Sequence, residues 1–296
     1  MAQYTLKCGK ATAKVNSTGG EFSSYIPANG REYMYQVDPQ VWGSQSPVLF
    51  PIVGSIKDSQ VKINGKPYSM NKHGNLRKLE FQVGKHGDDF IEMYLESDEA
   101  LFKTYPFHFI IHATHTIFED GFTTTYLVEN KSGERMPMCI GGHPGFKCPI
   151  YEGEKFTDYV LKFECVEDGV NSLAPNGYVI TGTEILPQLA GKDTLPLSHD
   201  LFDDRDALIF ANPKSRRVKL INPSTGKGLE FSFPKFDALG VWSAPKKNAD
   251  YVCLEPWCGL PAYENETGNF EDKPYVKFVN PGECFKISYS MTVIDE

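Results

Sequence analysis

Glu255 and His143 are the residues whose settings best suit chemistry. Glu255 closes the run Tyr251-Val252-Cys253-Leu254-Glu255 and is followed by Pro256 and Trp257. A proline disfavours helical geometry in the residue before it, so Glu255 is expected in extended backbone at the end of an apolar strand. A carboxyl desolvated there has a raised pKa, which suits a general base working near neutrality. His143 lies in Gly141-Gly142-His143-Pro144-Gly145, where glycines and a proline shape the backbone closely. An imidazole titrates near neutrality, and its protonated form can hand a proton to an oxygen atom.

Four further residues supply recognition chemistry. His73 and Arg77, in Asn71-Lys72-His73-Gly74-Asn75-Leu76-Arg77, carry donors for hydroxyl groups. Asp206, just ahead of the apolar run Ala207 to Phe210, offers two acceptor oxygens. Trp257 adds a flat apolar face of the kind on which the C–H face of a sugar rests.

Other chemistries lack their signatures. The GGHPG segment has no GK[ST] ending and is not a phosphate-binding Walker loop. There is no GxGxxG after an early strand, no HExxH and no GxSxG. His108, His112 and His115 fall close in sequence. However, two strand residues four apart are separated by roughly 13 Å, so His108 and His112 cannot share an ion. No metal and no organic cofactor is expected.

The elements that must position these residues read as strands. Phe285, Ile287, Tyr289, Met291 and Val293 alternate with polar residues, a period of two that marks a half-buried strand. Phe107 to Ala113 and Phe122 to Val128 alternate in the same way. Shorter β-like runs occupy 48–53, 79–83, 90–95, 156–165, 207–210, 218–221, 229–233, 251–254 and 275–279. Turn chemistry separates them, with Asn64-Gly65 as a hairpin signal and Ser224-Thr225-Gly226 and Asn280-Pro281-Gly282 as further turns. The stretch 190–206 is polar, contains Pro196 and is expected to hold a helical turn at most. The polar stretch 263–273 is expected to be a surface loop. No amphipathic helices of 10–15 residues alternate with the strands, which argues against an α/β fold. The pattern predicts an all-β chain forming a large β-sandwich, with residues 1–296 as one domain.

Composition narrows the function classes. The net charge is -8 and the sequence has no acidic tail, which argues against a nucleic-acid partner. The densest basic patch, Lys214 to Lys219, reads as a solvated turn between strands. Seven cysteines without a CxxC pair fit reduced thiols in a cytosolic compartment. Neither an apolar leader nor a membrane-spanning stretch is found, so a cytoplasmic protein without a membrane partner is expected.

Taken in order, the segments SPVLFPIVG at 46–54, NGKPYSMNKHGNLR at 64–77, YPFHF at 105–109, IGGHPGF at 140–146, DALIF at 206–210 and LEPWCG at 254–259 make the chain identifiable. It resembles the aldose 1-epimerase (galactose mutarotase) family, and within it the LacX-like subgroup. The resemblance implies a β-sandwich with an open groove. It implies a small-molecule sugar substrate, His143 as general acid and Glu255 as general base, with His73 and Asp206 holding the sugar. Two departures stand out. Relatives typically carry arginine after PIVG, where this chain has Ser55, and often read HGFAR, where it has His73-Gly74-Asn75-Leu76-Arg77. Alternatives to a hexose mutarotase are a hexose-6-phosphate 1-epimerase, for which Lys72, Arg77 and Arg216 would serve the phosphate, and a sugar-binding protein without catalysis. Monomer and homodimer are both open.

Overall fold

Alternation builds the larger of the two main sheets. In the computed structural model, which describes residues 2–295, the strand Phe109–Ile117 buries every second side chain. Gly121–Asn130 does the same and pairs with it antiparallel, Tyr126 opposite Ala113. Cys284–Ile294 completes the centre, Tyr126 opposite Ile287. Nine strands follow one another in the order Lys192–Pro196, Val160–Glu167, Arg217–Ile221, Gly228–Ser232, Cys284–Ile294, Gly121–Asn130, Phe109–Ile117, Phe90–Glu96 and Gln82–His86.

The smaller sheet runs Ala207–Ala211, Ala238–Trp242, Tyr251–Cys258, Ile140–Gly142 and Val48–Leu49, with Gly145–Lys147 also pairing on Tyr251–Cys258. The two sheets face each other through aromatic rings. Phe146 meets Phe231 at 5.8 Å, Phe163 meets Phe210 at 5.6 Å and Phe50 meets Phe109 at 5.0 Å between ring centroids. Tyr289 of the larger sheet lies so close to Gly142 that a Cβ there would fall 2.7 Å from its ring. The architecture is a β-sandwich, the fold expected from alternation and turns. Asn64 and Gly65 both have positive φ, as a two-residue hairpin between Gln60–Ile63 and Lys66–Ser69 requires.

Several local expectations are corrected. Glu255 is not at a strand end: Tyr251–Cys258 runs unbroken through Pro256, and all eight residues are buried. The stretch 190–206 contains a true strand, Lys192–Pro196, followed by the helical turn Asp200–Asp203. Pro196 is tolerated because this strand forms the edge of its sheet. Of 48–53 only Val48–Leu49 is strand, although all six residues are buried. The stretch 263–273 is not merely surface, because Phe270 and Lys273 are buried and the Lys273 ammonium sits 3.5 Å from Glu266. Among the described residues, no helix is long and apolar enough to cross a membrane.

Candidate active site

Strand register sets the acid and base against each other. Gly141 is opposite Trp257 and Gly145 is opposite Cys253 on Tyr251–Cys258. The register is therefore the same on both sides of the break at His143-Pro144, and it brings His143 opposite Glu255. The imidazole Nε2 lies 3.2 Å from Glu255 Oε1. On the other flank Gly240 is opposite Glu255. The small partners make room for large rings. A Cβ on Gly240 would fall 2.5 Å from the Trp257 ring, one on Gly141 2.8 Å from it, and one on Gly145 2.8 Å from Trp42. Three glycines thus open a hollow on this face, and indole rings fill its walls.

His73, Arg77, Asp206 and Trp257 line the same pocket as His143 and Glu255. His73 has a positive φ of 66. Its Nδ1 accepts the Gly54 N–H at 3.0 Å, which leaves the ring proton on Nε2 as a donor. The His73 ring meets His143 edge-on at 5.7 Å. The next residue, Gly74, is also left-handed, and a Cβ on it would fall 1.9 Å from the Phe50 carbonyl oxygen. Arg77 comes from the short turn Leu76–Lys78, and its buried Nε has no hydrogen-bond partner among the described residues. Asp206 also has a positive φ of 66, and its Oδ2 lies 3.5 Å from Lys72 Nζ at the pocket wall. Trp257 is only 3% exposed, a closed wall rather than an open platform. Ser55 is buried outside this lining, and its hydroxyl donates to the carbonyl of Gly177, which does line it.

Burial governs the electrostatics. Desolvation drives the Glu255 carboxyl well above the usual carboxylate range, with Lys72 and Trp257 pulling weakly the other way. Desolvation likewise pushes His143 down to about 3, helped by Lys72 and Arg77 and resisted by its own backbone. His73 is driven well below the ordinary histidine value, again by burial first and then by His143, Lys72 and Arg77. Burial thus disfavours the charged form of both groups, and favours the arrangement in which a proton shared by the pair lies on the carboxyl and the imidazole is neutral.

Sequence reasoning missed Trp42 and Trp242. Trp42 stacks on His143 at 4.9 Å and 30°, and Trp242 meets the same ring edge-on at 5.5 Å. With Trp257 they are the three tryptophans of the chain, and all line this pocket. Their scarcity was the available signal. Cys253, two residues before Glu255 on the same strand face, was also passed over.

Comparison with known proteins agrees with this architecture. The sequence profile described as aldose 1-epimerase matches residues 2–292. The chromosomal LacX protein of Lactococcus lactis subsp. lactis is 32% identical, over 98% of this chain and 99% of its own. A galactose mutarotase-related enzyme from Lactobacillus acidophilus superposes with a TM-score of 0.89 at 30% identity, covering 99% of this chain and 98% of its own. A galactose mutarotase-like protein from Lactobacillus casei ATCC 334 superposes with a TM-score of 0.91 at 25% identity, covering 99% of this chain and all of its own.

Proposed function

The chain belongs to the aldose 1-epimerase family, and we propose that it interconverts the α and β anomers of a hexose through His143 and Glu255. The observation that carries this reading is the 3.2 Å opposition of an imidazole and a carboxyl, both buried, in a pocket that His73, Arg77 and Asp206 also line.

Anomer exchange needs one proton removed and one delivered at two oxygens bonded to the same carbon. Glu255 takes the proton of the anomeric hydroxyl while His143 donates to the ring oxygen. The C1–O5 bond breaks, the open chain turns about C1–C2, and closure on the other face returns both protons. The pair gains one proton and gives one, so no net charge is created in the buried site at any stage. This avoids the large cost of an isolated buried ion. The ring-opened state corresponds to the neutral pair that burial favours. The ring-closing direction therefore starts from a proton already in place on Glu255. His73 presents Nε2–H as a fixed donor, while Asp206 and Arg77 hold hydroxyls. Trp42, face-on to His143, stabilises the imidazolium that must form before donation.

The test follows α-glucose and α-galactose to anomeric equilibrium by NMR. Glu255→Gln and His143→Asn should each lower turnover by about 10²-fold or more, the range of positioned acid–base groups, with the fold intact. Wild-type rates in both variants would sink the assignment, and saturable sugar binding without faster exchange would favour a binding protein. One observation favours a second substrate reading: the buried Nε of Arg77 has no hydrogen-bond partner among the described residues, and Lys72 lies on the same pocket. Competition by glucose 6-phosphate against free glucose decides between them.

A further inference from the structure

Cys253 changes what the acid–base pair is able to bind. One ligand atom each from His143, Cys253 and Glu255 lies within 4.8 Å of the other two, and all three residues are buried. Glu255 is 2% exposed, and its Oε2 has no hydrogen-bond partner among the described residues. The arrangement follows from register. Cys253 and Glu255 alternate onto one strand face, and His143 comes opposite Glu255. The thiol sits behind the pair, in a small cluster with Tyr35, Ala244 and Tyr251, while His143 and Glu255 line the pocket in front.

We propose that His143, Cys253 and Glu255 form a three-donor site for a borderline divalent cation of the zinc type, and that its occupation shuts the pocket. Sulfur, nitrogen and oxygen donors bind zinc at roughly 2.0–2.3 Å, which places donors roughly 3.5 Å apart around a tetrahedral ion. From separations of up to 4.8 Å the three atoms must therefore close by about 1.3 Å at most, a side-chain adjustment. A thiolate and a carboxylate offset the charge of a dication, and the imidazole adds a neutral ligand. The fourth position faces the pocket. The donor set selects Zn²⁺, Co²⁺ or Cd²⁺ over Mg²⁺ and Ca²⁺, which prefer oxygen ligands throughout. Binding stands on this geometry alone. Inhibition rests on the acid–base role proposed above, because the ion occupies the lone pairs that accept and deliver protons.

Co²⁺ titration of the full chain reads the site without any activity. Cys165 and Cys284 are exposed and Cys8 half-buried, so all three are replaced by serine in the parent protein. The parent should develop a thiolate-to-cobalt charge-transfer band, with visible bands of four-coordinate intensity, and added Zn²⁺ should remove both. Cys253→Ala should abolish the charge-transfer band. His143→Ala should weaken Co²⁺ binding by more than the roughly 10–100-fold typical of groups that only support a ligand. A parent without the band, or a band that survives in Cys253→Ala, overturns the proposal. Should Cys253→Ala fail to fold, anomalous scattering from zinc-soaked crystals of the parent decides, and no peak between the three side chains overturns it. In the anomer assay Zn²⁺ should inhibit and EDTA restore the rate, with Mg²⁺ without effect. Full activity at zinc concentrations that saturate the cobalt site refutes the shut-off. A parent that binds Co²⁺ yet never exchanges anomers leaves the site standing and removes the proposed function.

Discussion

Replacing one member of the buried pair should tilt the pH dependence of stability, and the two replacements should tilt it in opposite directions. Between the unfolded values of 4.5 for glutamate and 6.5 for histidine, the unfolded chain holds one proton on these two residues, on the imidazole. Burial disfavours both charges, so the folded pair is also expected to hold one, on Glu255, and to add no slope there. In Glu255→Gln only His143 remains. Its folded value is pushed down to about 3, so the folded state lacks a proton that the unfolded state binds. Stability then rises with pH and is fully present above 6.5. In His143→Asn only Glu255 remains, with its value raised by burial, so the folded state keeps a proton that the unfolded state has lost. Stability is then highest below 4.5 and falls as pH rises. One proton changes the folding constant tenfold per pH unit, or about 3 kcal/mol across this window. Relative to wild type the two variants should diverge by up to about 5 kcal/mol between its ends. Shifted groups remote from the pair, such as His115 with its value lowered to about 4 by burial, are common to all three proteins and cancel. Urea denaturation from pH 4.5 to 6.5 measures it, with tryptophan fluorescence reporting from the pocket itself. Parallel curves for both variants and wild type would refute the claim that burial holds both groups neutral.

Trp42→Leu should lower kcat by roughly 2- to 30-fold, the range of a cation–π contact, with a smaller change in KM and an altered pH profile. An unchanged profile would mean that Trp42 only fills space. Gly240→Ala drives a Cβ to within 2.5 Å of Trp257 and should cost about 1–3 kcal/mol of stability. Gly133→Ala, where nothing lies within 4 Å, should be nearly neutral by the same thermal-denaturation measurement.

How much of this was legible in the sequence depends on which physical quantity carried each feature. Alternation is local, so Phe109–Ile117, Gly121–Asn130 and the C-terminal strand could be read directly. Lys192–Pro196 was hidden because an edge strand tolerates proline and needs little apolar character on its open side. The extension of Tyr251–Cys258 was hidden because Pro256 looks like a terminator until its neighbours in the sheet are known. Glu255 and His143 each looked locally ambiguous, and for a definite reason. The role proposed for each depends on the other, across a register that no single segment encodes. What the sequence did carry was the means of satisfying that register: glycines at 141, 145 and 240, placed where indole rings must pass. Cys253 shows the converse. A metal signature is legible when its ligands are close in sequence, whereas a sheet gathers ligands at i and i+2 on one strand and at a cross-strand position on its neighbour. The same geometry explains why the proposed proton-transfer pair and the proposed metal-binding triad coincide. Both need lone pairs converging within a few ångströms in a dry pocket, and a strand that places a carboxylate opposite an imidazole needs only a thiol two residues away to serve either use.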